Sequence, residues 1–232
     1  MAKLKVMCAR SMHVAVGALG KAFAQGAGHD VEFDFGTVGA LQAKLDAGET
    51  ADVVILSIPG VDKLERAGGL AEGSRKNVAR TYIALCVRDG APRPDFATQE
   101  AFKRLLENAR AIATSDPAVG GSAGVHLANM FEQTGLAAMM KSKSLPQSTG
   151  VEVARRVVEG KAEFGLTLSG EVASVPGAVI AGPVPPPFGQ DTTYCAAVTA
   201  ASAAKAEAAA LIAALTRSDT RPTWTSAGFE LP

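Results

Sequence analysis

The feature that most constrains this chain is its first sixty residues, where apolar strand-like runs alternate with helix-period segments. Residues 4–9, 31–35 and 52–57 read as strands. In the second, Val31, Phe33 and Phe35 alternate with Glu32 and Asp34, while the other two are almost wholly apolar, as strands covered on both faces are. Between them, Val16, Leu19 and Phe23 recur at helical spacing, and residues 40–47 form a short helix that Gly48 ends. Strand, helix, strand, helix, strand specifies a parallel sheet with right-handed crossovers.

The same grammar returns further along. Thr98 caps a helix with Phe102, Leu105, Leu106 and Ala109 on one face, followed by a strand over 111–115 and a helix through Leu127 and Phe131. A helix carrying Val153 and Val157 stops near Gly160 and leads to strands over 164–168 and 178–181. A strand over 194–198 and an alanine-rich helix with Ala204, Ala208, Leu211 and Leu215 inward close the chain. The runs 82–87 and 193–198 bracket the middle block and are where the chain passes between lobes. The expected division is therefore lobe 1 from 1–82 and 195–232, and lobe 2 from 83–194, with a cleft between them. The expected class is α/β.

Composition narrows the function. The 232 residues hold 23 Lys and Arg against 23 Asp and Glu, so no basic surplus favours nucleic acid. Aromatic residues make up 5%, too few for base-stacking platforms. Five prolines break the charge-free stretch 172–190, so membrane insertion is not expected. The N-terminus runs straight into a strand with no export signal, which points to the cytoplasm; a leader removed beforehand would make the protein periplasmic. Cys8, Cys86 and Cys195 are far apart and read as buried free thiols. No Cys or His pair has metal-ligand spacing, and neither a metal nor a cofactor is implied.

Small-residue turns join strands to helices at Arg10-Ser11, Gly36-Thr37-Val38-Gly39, Ser57-Ile58-Pro59 and Gly120-Gly121-Ser122-Ala123-Gly124. At carboxyl ends of parallel strands such turns bring helix N-termini, with their unpaired N–H groups, towards a small anion. Hydroxyls of Ser11, Thr37, Ser57 and Ser122 add donors, and the Arg10 guanidinium can fork onto a carboxylate. His126 follows the glycine turn by two residues, which places it in the first helical turn, and is the acid/base candidate if the protein is an enzyme. His13 occupies the matching place after Arg10-Ser11-Met12. Residues 120–124 match G-x-S-x-G, but Asp116-Pro117 separates them from their strand and no His lies far enough downstream for a triad. Dinucleotide and P-loop glycine patterns are absent.

With Ala9-Arg10-Ser11, residues 35–41, the run 45–55, Ser115-Asp116-Pro117 and the run 158–165, the chain resembles the type 2 periplasmic binding proteins of the molybdate-binding-like branch. The resemblance implies two lobes, a ligand cleft between two mixed, mainly parallel sheets, and a membrane importer of the ABC class as partner. Ser11 matches that branch's first serine ligand and Ala123 its backbone donor. Val38, Gly150 and Leu168 stand where the branch has a serine, a valine and a tyrosine. This departure favours a carboxylate over molybdate.

Residues 89–95, Ser115-Asp116 with its glycine turn, and Val175-Pro176-Gly177 are also similar to aconitate isomerases of the same fold. That resemblance implies an alternative, a cytoplasmic isomerase moving an allylic proton on an unsaturated tricarboxylate. The expected ligand set is Arg10, Ser11, Thr37, Val38, Gly39, Ser57, Gly121, Ser122, Ala123, Gly124, Gly150 and Leu168, around a small carboxylate or oxyanion.

Overall fold

A computed structural model describes residues 2–119 and 121–231. In chain order the strands and helices are β1 (Lys3–Ala9), α1 (His13–Ala27), β2 (Asp30–Gly36), α2 (Val38–Asp46), β3 (Val53–Ser57), α3 (Ile58–Arg66) and β4 (Lys76–Arg88). There follow α4 (Gln99–Asn108), β5 (Ile112–Ser115), α5 (Ser122–Gln133), α6 (Ala137–Lys143), β6 (Ser144–Gln147), α7 (Gly150–Val158), β7 (Phe164–Leu168), α8 (Ser169–Ala173) and β8 (Ala178–Pro183). The chain closes with β9 (Asp191–Val198), α9 (Lys205–Leu215) and α10 (Arg221–Ser226). It divides into two compact units, one of residues 1–80 and 192–232, the other of residues 81–191.

In the first unit the strands run in the order β2-β1-β3-β9. Strand β1 is parallel to β2 and β3, and β9 is antiparallel to β3. Alternate residues of these strands face opposite sides of the sheet. Val6, Cys8, Val53, Ile55, Ala196 and Val198 pack with α1, α9 and Trp224 of α10. Met7, Val54, Leu56, Cys195 and Ala197 pack with Leu41 of α2 and Val61 of α3. Helices on both faces explain why Val53 to Leu56 are all fully buried. Trp224 satisfies its buried indole by donating Nε1–H to the Leu215 carbonyl at 3.0 Å.

The second unit orders its strands β4-β7-β5-β6, with β8 also beside β4. Strand β5 is parallel to β7 and β6, while β4 is antiparallel to β7 and β8. Ile83, Leu85, Ile112, Leu166 and Leu168 face Phe102 and Leu106 of α4, Leu127 and Phe131 of α5, and Phe188. Ala84, Cys86 and Ala113 face Val153, Ala154 and Val157 of α7 and Val172 of α8. Thr98 caps α4 by accepting from the Ala101 N–H at 3.1 Å, as its sequence position indicates.

Several details differ from the sequence reading. Helices α6, α8 and α10 and strand β6 were not expected, and β4 begins before the expected run 82–87. Pro146 argues against a strand, and β6 tolerates it as an edge strand that pairs only with β5. Helix α9 begins at Lys205, so Ala204 is its N-cap, and it still packs against the core beside Ala208, Leu211 and Leu215. All three cysteines are free and buried.

Candidate functional site

In each unit the parallel strands deliver three helix N-termini to one edge of the sheet. In the first unit these follow β1, β2 and β3. After β1 the chain makes a single tight turn over Arg10–Met12, and His13 opens α1. Exposed Arg10 donates from Nη2 to the Phe35 carbonyl at 3.2 Å, which ties this turn to the end of β2. The His13 Nδ1–H donates to the Arg10 carbonyl at 3.0 Å, and the ring meets Phe35 edge-on at 6.2 Å. A carbonyl only accepts, so neutral His13 carries its proton on Nδ1.

Thr37 caps α2 by accepting from the Ala40 N–H at 3.1 Å. The N–H groups of Val38 and Gly39 then belong to the part of a first turn that has no partner within the helix. Ser57 heads α3, where Pro59 removes one donor from the first turn. A Cβ on Gly60 would lie 3.1 Å from Val38 Cγ1, so the first turns of α2 and α3 touch. Arg10, Ser11, Thr37, Val38, Gly39 and Ser57 thus share one edge. The Ser11 hydroxyl donates to the Tyr194 hydroxyl at 2.8 Å and is thereby engaged within the unit.

In the second unit the N-termini follow β5, β6 and β7. Gly121 is the N-cap of α5 and Ser122 its first residue; Gly120 lies outside the described residues. A Cβ on Gly124 would fall 2.7 Å from the Ser115 carbonyl oxygen, so glycine is what lets α5 seat on the end of β5. Ala123 is 3% exposed and Leu168 7% exposed, and both side chains lie in the apolar cluster under α5. What they can offer a ligand is backbone. Thr149 caps α7 by accepting from the Glu152 N–H at 3.2 Å.

The centre of this edge is a group that sequence reasoning missed. Buried Ser115 and Thr167 place their hydroxyl oxygens 3.2 Å apart, and Thr167 donates to Glu171 Oε2 at 2.7 Å. A hydroxyl has one proton, so Ser115 must be the donor to Thr167. The Glu171 carboxylate fills the space beside Gly150, whose Cβ would stand 1.8 Å from Oε2. Ser169 and Thr81 form a separate buried pair, with hydroxyl oxygens 2.7 Å apart. The one local trace of the group in the sequence is the glycine at the first position of α7.

His126 is the fifth residue of α5, in the second helical turn rather than the first, and its Nε2–H donates to the Pro187 carbonyl at 3.3 Å. A groove of about 840 Å³ in this unit, lined by Phe96, Pro94 and Pro183 to Pro186 among others, contains none of the expected ligand residues. No cluster of potential metal ligands is found among the described residues. No described helix is long and apolar enough to cross a membrane.

Over 184 residues, 78% of this chain and 67% of the relative, the sequence is 34% identical to an aconitate isomerase from a Pseudomonas species. The periplasmic molybdate-binding protein of Azotobacter vinelandii superposes with a TM-score of 0.76 at 21% identity, covering 99% of both chains. A sulfate-binding protein from Mycobacterium tuberculosis gives 0.73 at 18% identity, covering all of this chain and 87% of that one. These likenesses establish the two-lobed type 2 periplasmic-binding-protein fold. A family model described as bacterial extracellular solute-binding protein matches residues 4–230, and the chain belongs to that family.

Proposed function

We propose that this protein binds a small organic carboxylate at the carboxyl-terminal strand edges. The observation that carries the reading is the convergence of three helix N-termini at one sheet edge in each unit, held together by the Arg10–Phe35, Gly60–Val38 and Ser115–Thr167–Glu171 contacts. Oriented N–H dipoles at such termini favour anions, and Arg10 adds a planar fork suited to a carboxylate. Val38 stands where the molybdate-binding-like branch has a serine hydroxyl, which favours an organic anion over molybdate. Delivery to an ABC-class importer is the accompanying role. Calorimetric titration with tricarballylate, citrate and molybdate tests the reading: saturable carboxylate binding supports it, and molybdate binding alone overturns it.

The aconitate isomerase relative favours a second reading on the same site, in which a bound unsaturated tricarboxylate undergoes an allylic proton shift. Arg10 and the helix N-termini hold the carboxylates, and the negative charge that develops when the proton leaves is met by preorganised N–H donors. Mixing the protein with cis-aconitate and following the trans isomer by NMR separates this reading from binding alone.

A further inference from the structure

A ligand edge built to attract anions has a negatively charged side chain at its centre, and that placement needs an explanation. Glu171 is in the first turn of α8, half-buried, with its carboxylate against Gly150 at the start of α7. For simple anion binding such a group is a cost, because it repels the ligand and occupies space beside one of the N-termini. It is nevertheless held in place with care. Thr167, fully buried, directs its only proton at Oε2, and Ser115 in turn directs its proton at Thr167. Position 150 carries no side chain, and a Cβ there would stand 1.8 Å from Oε2. A base oriented by a second group, itself oriented by a third, is the arrangement proton transfer requires.

We infer that Glu171 is the proton acceptor and donor of an allylic proton shift on a bound unsaturated carboxylate. The inference rests on the carboxylate-binding reading above. In the first step a C–H bond of the substrate methylene breaks, its proton forms an O–H bond on Glu171, and the electron pair delocalises through the adjacent alkene onto a substrate carboxylate. In the second step Glu171, whose O–H exchanges with solvent, gives a proton to the carbon at the other end of the three-carbon unit, and the double bond has moved. Nothing is oxidised or reduced and no co-reactant enters. N–H groups of the α5 and α7 first turns, at the same strand edge, meet the transient charge.

The other acid/base groups near this edge are less suited. Asp116 Oδ1 accepts from the Ala118 N–H at 2.9 Å and so closes its own turn. His126 lies a turn further along α5 and directs Nε2–H to Pro187.

The test is cis-aconitate in D2O, followed by proton NMR for isomerisation and for deuterium entry into the methylene, with calorimetric affinity measured in parallel. Wild type is expected to bind and exchange. Glu171→Gln, which keeps the shape of the side chain, is expected to lose exchange by about 10³-fold with affinity within about fivefold of wild type, since positioned acid–base groups contribute 10²–10⁴-fold. Glu171→Asp draws the carboxylate back by one carbon and is expected to recover part of the rate, on the order of 10²-fold below wild type. Exchange that survives in Glu171→Gln, or that is lost only in His126→Ala, overturns the inference. Wild-type binding without exchange overturns it and leaves the carboxylate-binding reading standing. Absence of binding to wild type overturns both.

Discussion

Ser11 and Tyr194, 183 positions apart in sequence, join their hydroxyls at 2.8 Å inside the first unit. The bond links the turn after β1 to β9, and both side chains are buried. Tyr194→Phe removes the acceptor and leaves the Ser11 hydroxyl buried with one partner fewer, at a cost of about 1–2 kcal/mol. Urea unfolding at pH 7 is expected to show that loss, and Ser11→Ala a similar or smaller one. An unchanged midpoint in both variants would contradict the role assigned to the pair.

Arg10 is exposed and its guanidinium already donates to the Phe35 carbonyl, so its contact with a ligand carboxylate is partly screened by water. Arg10→Ala is therefore expected to weaken tricarballylate binding by about tenfold, less than a buried charge would. Calorimetry at two salt concentrations checks this: the wild-type advantage should shrink as ionic strength rises. Identical affinities remove Arg10 from the site.

Much of the architecture was legible because periodicity reports burial. The strands around Val6, Val54 and Leu166 read correctly since parallel, two-face-covered strands are continuously apolar, and Thr98 marked its helix by cap chemistry. Strand β6 was illegible because Pro146 obeys an edge-strand exception that only pairing reveals. At the site, the turns at Arg10, Thr37 and Ser57 were visible as small residues after strands, whereas Glu171 was not. It stands 21 residues beyond Gly150, and no periodicity or motif brings those two positions together; only the packing of α7 beside α8 does.

Two glycines in comparable helical settings should respond oppositely to alanine. A Cβ at Gly124 would meet the Ser115 carbonyl oxygen at 2.7 Å, backbone that cannot swing aside, whereas Gly17 in α1 has nothing within 4 Å. Gly124→Ala is expected to destabilise by about 2 kcal/mol or more through overpacking. Gly17→Ala is expected to stabilise by about 0.5–1 kcal/mol through helix propensity. Thermal unfolding of the two variants beside wild type decides both.

Burial pushes the Cys86 thiol up to about 12 and raises Cys8 and Cys195 above the ordinary 9.0. Only thiolates react, so a disulfide reagent at pH 8 should label the native protein at the rate at which it opens, and quickly in denaturant. These thiols stay protonated in the folded state after they ionise in the unfolded one. Their contribution to stability is therefore intact below pH 9 and declines as pH rises towards about 12. Cys86→Ala should flatten part of that decline in urea midpoints measured from pH 8 to 10. A native protein labelled at the denatured rate would contradict the burial.

The most direct test of carboxylate binding is a calorimetric titration of the intact chain with tricarballylate, a saturated tricarboxylate that cannot isomerise. A saturable one-to-one isotherm, weakened in Arg10→Ala, is the predicted result. A flat titration up to millimolar ligand, with molybdate giving the saturable signal instead, would contradict it.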